Sequence, residues 1–272
     1  MIKKFADKTP IVFAFSVTIF VLVVYSIAQF GFAVLFGVDM TTSAQDNIHN
    51  IYFLTASILA KIVFSALVML ILVMLKLSFV NNPLKKGFLK GLGLGWFVII
   101  GIILNFTFFF DFSSKISSIE QSKWLLLIPI FFETLLAGVS EELMCRGILY
   151  NVINNKYKNV YAAVLLSSAV FGVVHFVNLV NTSFAETAMN VLFAFGFGVL
   201  IAAVYARCKT VWPGVLLHGL YNFAGYAAVN LAFAEKIDEK TLVIINIVQA
   251  IASICIGLFL IRKKKMAEIA AI

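Results

Sequence analysis

The sequence predicts an all-α, polytopic membrane protein of about eight transmembrane helices. Of its 272 residues, 62% are hydrophobic and only 12% are charged, whereas soluble proteins carry about 45–50% apolar and about 25% charged residues. A chain with so few polar side chains cannot cover a water-soluble surface, which excludes a soluble enzyme, a disordered protein and a secreted disulfide scaffold. The apolar runs are continuous rather than alternating, and this favours helices over a barrel.

Eight apolar runs are long enough to cross a bilayer, because a transmembrane helix needs roughly 20 apolar residues. The first run follows a basic N-terminal segment but is too long for a signal peptide, so we predict an uncleaved span. Three glycines, Gly87, Gly91 and Gly95, recur every fourth residue and predict close helix packing. The predicted spans are 10–37, 51–77, 87–110, 124–150, 159–180, 185–206, 211–232 and 241–261.

Lysine and arginine are distributed unevenly between the segments that connect these spans. If the N-terminus is cytoplasmic, 16 of them fall on the cytoplasmic side and 4 on the outer side, as the positive-inside rule requires. We therefore predict that both termini are cytoplasmic. Separately from the charge distribution, we expect the membrane to be a bacterial plasma membrane. The net charge of +8 is spread between apolar runs rather than gathered on one face, which argues against a nucleic-acid partner.

Two oppositely charged residues lie deep within apolar spans, where ionisable side chains mark either function or pairing. Lys61 lies about 11 residues into the second span, and Glu133 lies about 9 residues into the fourth. Both spans run inward, so at about 1.5 Å per residue the two side chains reach a similar depth. We predict an ion pair; the alternative is that Lys61 snorkels while Glu133 stays neutral or hydrated.

The other ionisable residues within spans form three short motifs on the fourth, fifth and seventh spans. Residues four apart share a helix face, so the arginine of the first motif pairs with the second glutamate, while the first glutamate points about 100° away. The motifs are Glu141-Glu142-x-x-x-Arg146, Phe171-x-x-x-His175 and His218-x-x-x-Asn222.

Chain spacing predicts that these motifs meet. Glu141 and His175 each lie 17 residues from Lys158, which is near the centre of a polar turn at 154–159. In an antiparallel helix hairpin they therefore reach the same height. His218 follows the basic turn at 207–209 by about nine residues. We predict one water-accessible cavity for all three groups, in the cytoplasmic half of the membrane or near its midplane.

In this order the motifs resemble the CPBP family, which comprises CAAX prenyl-protein endopeptidases and bacteriocin-processing (Abi) proteins. The resemblance covers roughly Trp124 to Tyr226. It implies an intramembrane endopeptidase that cuts a membrane-associated, hydrophobic peptide or protein, with bacteriocin processing or self-immunity as a biological role. The corresponding division of the chain is an N-terminal three-helix membrane region (1–123), a CPBP-like catalytic core (124–232), and a final transmembrane helix with a basic tail (233–272).

The resemblance also implies a catalytic role for each motif. Amide hydrolysis needs a base for water, a proton donor for the leaving amine and donors aimed at the oxyanion. The implied roles are activation of water by Glu141 and His175, stabilisation of the oxyanion by His218 and Asn222, and support of the surroundings of Glu141 by Glu142 and Arg146.

Alternatives remain open at both the mechanistic and the functional level. One glutamate and two histidines are also a ligand set of catalytic zinc, so the cofactor is either none or one divalent metal held by Glu141, His175 and His218. Two other functions also fit the residues. One is a non-catalytic scaffold or regulator with the same fold. The other is a proton- or ion-coupled transporter, because buried acidic and basic residues also mark proton relays.

Overall fold

The computed structural model describes residues 2–39, 46–77, 87–109, 121–180, 182–230 and 239–263. Within them the chain forms helices and no strand, which confirms the all-α class. The helices, in chain order, are α1 (Ile2–Lys8), α2 (Pro10–Leu35), a 3₁₀-helix (Asp46–His49), α3 (Ile51–Leu75), α4 (Gly87–Leu94), α5 (Trp96–Phe109), α6 (Gln121–Glu142), a π-helix (Leu143–Tyr150), α7 (Asn151–Tyr157), α8 (Val160–Val174), a second 3₁₀-helix (His175–Val180), α9 (Phe184–Cys208), α10 (Trp212–Asn230) and α11 (Glu239–Leu260).

Among the described residues, six helices are long and apolar enough to cross a membrane, and the bent pair α4–α5 raises the number to seven if it counts as one span. The polytopic membrane class is therefore confirmed, but the predicted count of eight is not. The seventh predicted span, 211–232, corresponds to α10, a 19-residue helix that is not among these candidates because polar side chains interrupt it. Several lysines behind the predicted orientation, including Lys85, Lys86 and Lys115, lie outside the described residues, so the orientation stays a prediction.

The third predicted span is not one continuous helix. Its two halves, α4 and α5, meet at Gly95 at an angle of 59°. A Cβ atom at Gly95 would lie 2.3 Å from Leu217 Cδ1 on α10, and Cβ atoms at Gly87 and Gly91 would collide with the junction of α9 and α10. The predicted packing role of these three glycines is thus confirmed, and the bend follows the surface against which they pack.

Helix α6 lies at the centre of the candidate site because it packs against both α3 and α10. Gly138 permits the close approach of α6 and α10, since a Cβ atom there would lie only 2.6 Å from the carbonyl oxygen of Val215. This approach brings the end of α6, which carries Glu141 and Glu142, beside His218 on α10.

The fourth predicted span, 124–150, is longer than expected, because α6, the π-helix and α7 form one helical rod over Gln121–Tyr157. π-Helical turns are rare and often occur at functional sites. The side chain of Asn151 closes this segment: its Nδ2 lies 2.9 Å from the carbonyl oxygens of Arg146 and Gly147 and 2.8 Å from Tyr205 Oη.

The turn predicted at 154–159 joins α7 to α8. Lys158 adopts a left-handed conformation, and the Asn159 side chain caps α8 by accepting a hydrogen bond from Ala162 N. Helix α8 then ends at Val174, and His175 begins the 3₁₀-helix. The last six residues of the span predicted at 159–180 are therefore wound more tightly than the rest.

Candidate active site

A buried carboxylate, Glu142, connects two of the three motifs. Its Oε1 accepts a hydrogen bond from Arg146 Nη1 at 2.9 Å and lies 2.9 Å from His218 Nδ1. Arg146 Nη2 also donates to the carbonyl oxygen of Gly198 at 2.8 Å. The exposed fractions are 0% for Glu142, 1% for Arg146 and 5% for His218. Such deeply buried charges are tolerated only when they are paired and hydrogen-bonded, as these are.

The pair of Glu142 and Arg146 fixes the orientation of His218. A carboxylate beside a guanidinium is ionised and only accepts hydrogen bonds, so Nδ1 of His218 must donate to Glu142. The opposite ring nitrogen, Nε2, then faces Glu141 Oε2 at 3.8 Å. The sequence predicts that Glu142 and Arg146 support the surroundings of Glu141; in the structure Glu142 contacts His218 directly, and Arg146 contacts Glu142.

Glu141 and Glu142 are neighbours with different environments. The side chain of Glu141 is 29% exposed, while that of Glu142 is fully buried. The difference follows from the helix, because consecutive residues point about 100° apart. Glu141 lies on the wall of a cavity, so its carboxylate is accessible to water and to a bound molecule.

His175 is held in one orientation by the backbone of its own helix. Its Nδ1 lies 2.8 Å from the carbonyl oxygen of Phe171, one turn earlier. A carbonyl can only accept, so Nδ1 carries the hydrogen and Nε2 is left to act as the acceptor. The Phe171 ring makes edge contacts with both imidazoles, at centroid distances of 5.0 Å to His175 and 5.7 Å to His218. A single aromatic ring, that of Phe171, therefore contacts both histidines.

These side chains surround a cavity of about 480 Å³, which lies within the range of small-molecule and cofactor sites. Asn222 also lines it, one helical turn after His218 on α10, as the spacing of the third motif predicts. The structure therefore brings Glu141, His175, His218 and Asn222 to one space. Glu142 and Arg146 do not line the cavity but lie behind lining residues: Glu142 contacts His218, and the Arg146 guanidinium lies 5.1 Å from the centre of the Phe171 ring.

The predicted ion pair between Lys61 and Glu133 is present on the wall of the same cavity. Lys61 Nζ donates to Glu133 Oε1 and to Ser57 Oγ, the latter at 2.9 Å. Ser57 Oγ in turn donates to Glu133 Oε1 at 2.9 Å. The pair joins α3 to α6 and adds a second polar region to the cavity.

Residues 123–224 match the family model described as type II CAAX prenyl endopeptidase Rce1-like. The resemblance to the CPBP family of intramembrane proteases is confirmed. The matched segment extends from α6 into α10 and contains all six residues of the predicted site, whereas Lys61 lies outside it. No curated protein and no solved structure gives a match to the chain.

The metal alternative assigns Glu141, His175 and His218 as ligands. Catalytic zinc sites use three protein ligands and one open position. Among the described residues, no group of three or more His, Cys, Asp or Glu side chains is placed to hold a metal ion. Glu141, His175 and His218 line one cavity, but in this arrangement they do not fit a catalytic metal.

Several polar residues of the cavity were not identified from the sequence. Asn178 and Asn190 line it beside His175, and Ser140 lines it next to Glu141. A signal was available, because carboxamides are unusual in apolar spans and Asn178 follows His175 by three residues. The contact of Phe171 with both histidines had no signal beyond its place in the motif, since the sequence contains 28 phenylalanines.

Proposed function

We propose that this chain is an intramembrane endopeptidase that hydrolyses a peptide bond of a membrane-associated peptide or protein without a metal ion. The match to CAAX-type proteases supports the protease class. The observation that carries the site is the orientation of His218: Glu142 binds its Nδ1, so its Nε2 faces Glu141 at 3.8 Å within the cavity that His175 also lines.

In the proposed reaction, Glu141 and His175 activate a water molecule. Glu141 is accessible and ionisable, and the only ring nitrogen of neutral His175 that can accept a proton is Nε2. The water oxygen attacks the carbonyl carbon and gives up its proton to this pair. The same proton then passes to the nitrogen of the breaking amide bond, so that the products are a carboxylic acid and a free amine.

His218 and Asn222 are the proposed donors to the oxyanion. For His218 to donate from Nε2 while Nδ1 donates to Glu142, its ring must carry a positive charge. The cluster of Glu141, Glu142, Arg146 and His218 then has no net charge. Donors fixed in place before the reaction are the most effective means of stabilising an oxyanion.

We further propose that 124–232 is the catalytic core, that 1–123 and 233–272 complete the membrane bundle, and that both termini face the cytoplasm of a bacterium. The proposed substrate is either a prenylated tail, as the family description suggests, or an apolar peptide such as a bacteriocin leader. Reporter fusions at each terminus test the orientation: activity of a periplasm-dependent reporter at either end would contradict it.

The decisive experiment compares the wild-type protein with Glu141→Gln in host membranes, with quantification of newly formed peptide termini by mass spectrometry. The matched control is Glu186→Gln, which removes a carboxylate that caps α9 through Ser183 and lies outside the cavity. Loss of a general base lowers rates about 10²–10⁴-fold, so peptides produced by the wild type and the control should disappear in Glu141→Gln.

Two results would contradict the endopeptidase function and favour one of its alternatives. An identical set of termini and an unchanged phenotype in Glu141→Gln favour the scaffold. Uptake of a solute or protons by proteoliposomes of the purified protein, with no peptide cleaved, favours the transporter.

A further inference from the structure

Three aromatic side chains lie between the active-site cavity and a second cavity. Phe193 and Phe197 on α9 and Tyr221 on α10 line both spaces. The second cavity has a volume of about 290 Å³ and is bounded by α5, α9, α10 and α11. Its lining is apolar apart from Tyr221, Gln249 and Ser253. A group in the second cavity can therefore act on the active-site cavity through these three rings, which we call the aromatic wall.

The rings of the aromatic wall pack on one another. Phe193 stacks on Tyr221 at a centroid distance of 5.5 Å and on Phe197 at 6.1 Å. The rings of Phe197 and Tyr221 lie 5.7 Å apart. Aromatic pairs attract one another at centroid distances of about 4.5–7 Å. A displacement of one ring is therefore passed to the other two.

Phe197 connects the aromatic wall to His218. The Phe197 ring makes an edge contact with the imidazole at a centroid distance of 5.2 Å, and Phe171 makes another at 5.7 Å. The only polar atom that holds the ring nitrogen Nδ1 is Glu142 Oε1, among the described residues, at 2.9 Å. One hydrogen bond allows an imidazole to pivot, and the two phenylalanine edges limit that pivot. The direction in which Nε2 faces Glu141 therefore depends on Phe197.

The hydroxyl group of Tyr221 anchors the aromatic wall to two further helices. Its Oη donates a hydrogen bond to Gln249 Oε1 on α11 at 2.9 Å, and the side chain of Asn105 on α5 is a second hydrogen-bond partner. Neither Asn105 nor Gln249 is among the described residues that line the active-site cavity. Loss of a hydrogen bond in an apolar environment leaves a costly unpaired group. These bonds therefore hold the Tyr221 ring in one place.

We propose that Tyr221 and Gln249 are positioning residues for His218. Their hydrogen bond holds the Tyr221 ring, this ring holds Phe197, and Phe197 keeps the imidazole turned toward Glu141. The inference rests on the proposed endopeptidase function, because it concerns the group assigned there to the oxyanion. It also gives α11, which lies outside the segment that matches the family model, a part in the reaction.

The orientation of His218 is measured without a substrate, by NMR of the full-length protein in lipid nanodiscs with ¹⁵N-labelled histidine. The chain contains only three histidines, and the signals of His218 are those that disappear in His218→Gln. The test variants are Gln249→Met and Tyr221→Phe, which remove the hydrogen bond between these residues and nearly preserve side-chain size. The matched control is Ser253→Ala, which removes a different polar group from the second cavity.

We expect the imidazole signals of His218 to shift in Gln249→Met and to shift further in Tyr221→Phe, which loses both partners of the hydroxyl group. Addition of Gln249→Met to Tyr221→Phe should cause no further shift, because the bond is already absent. The signals of His175 should stay as they are in Ser253→Ala. Unchanged His218 signals in Tyr221→Phe, or equal shifts of both histidines, would overturn the proposal.

Peptide cleavage connects this orientation to the reaction. A displacement of about 1 Å in a reacting group lowers rates by up to about 10²-fold, so kcat should fall about 10–100-fold in Tyr221→Phe. Gln249→Met should lower kcat in the same direction but less, because the bond to Asn105 remains. KM should change little in both variants. A change in KM alone would assign these residues to substrate binding and overturn the positioning role.

The two measurements separate this inference from the proposed function. Shifted His218 signals in a protein that cleaves no peptide support the positioning of His218 and contradict the protease. Unshifted signals together with normal cleavage by Tyr221→Phe remove the positioning role and leave the protease.

Discussion

Glu142 and His218 are 76 residues apart in the chain, yet Glu142 Oε1 and His218 Nδ1 lie 2.9 Å apart in the buried centre of the helix bundle. The same carboxylate oxygen also accepts a hydrogen bond from Arg146. This one carboxylate oxygen of Glu142 therefore pairs with the Arg146 guanidinium and orients the His218 imidazole. This arrangement makes the three side chains energetically dependent on one another.

Removal of Arg146 and removal of Glu142 should not have additive effects on stability. In Arg146→Met, the Glu142 carboxylate loses its counter-charge in a dry environment, and loss of one partner of a buried pair costs about 3–5 kcal/mol. The double variant Glu142→Gln with Arg146→Met leaves no unpaired charge and should lose less than the sum of the two single variants. Thermal unfolding of the four proteins in detergent measures this coupling, and strictly additive losses would contradict it.

Gly138 should be intolerant of even a methyl group. In Gly138→Ala the new Cβ would lie 2.6 Å from Val215 O, which forces α6 away from α10. Overpacking of this kind lowers the free energy of unfolding by about 1–3 kcal/mol. The control is Gly225→Ala on α10, where a Cβ meets nothing within 4 Å and the better helix propensity of alanine should be neutral or stabilising. Unfolding temperatures and peptide cleavage are compared; equal behaviour of the two variants would show that the close approach is unimportant.

The fold was predictable where the signal is a long-range pattern of hydrophobicity or charge. The apolar runs locate the membrane helices, and the depth of Lys61 and Glu133 predicts their ion pair without knowledge of the packing. The bend at Gly95 was not predictable, because the apolar run continues through it without interruption. The π-helix also lacks a sequence signal, since the Asn151 side chain that binds its carbonyl oxygens is itself bound to Tyr205, 54 residues further along the chain.

For the candidate site, the sequence was sufficient to predict which residues line the same cavity. Glu141, His175, His218 and Asn222 line one cavity, as motif spacing and hairpin geometry predict. The contact between Glu142 and His218 was not predictable, because spacing along two helices does not specify their relative rotation. That contact depends on the α6–α10 approach at Gly138, which only the packed structure reveals.

Asn151 should affect both the stability and the activity of the protein, although it does not line the cavity. Its amide binds the carbonyl oxygens of Arg146 and Gly147 at 2.9 Å, and an unsatisfied buried polar group costs about 1–3 kcal/mol. Asn151→Ala should therefore loosen the π-helix and let Arg146 shift away from Glu142. The expected results are a lower unfolding temperature and a lower kcat with little change in KM.

The control for Asn151 is Asn155→Ala, at an exposed position on the following turn of α7. It should leave the unfolding temperature and the cleavage rate close to those of the wild type. Asn151→Asp separates packing from hydrogen bonding, because it has a similar shape but replaces the amide donor with an acceptor. Wild-type behaviour of Asn151→Asp would show that the amide does not hold the π-helix.

Chelators should leave the activity of the purified protein unchanged. Among the described residues, no set of three donors is placed to hold a metal ion. Peptide cleavage is measured after dialysis against EDTA and, separately, against phenanthroline, while the metal content of the same samples is determined by mass spectrometry. Stoichiometric zinc that is lost together with activity, and whose return restores it, would contradict the metal-free mechanism and require Glu141, His175 and His218 to rearrange around an ion.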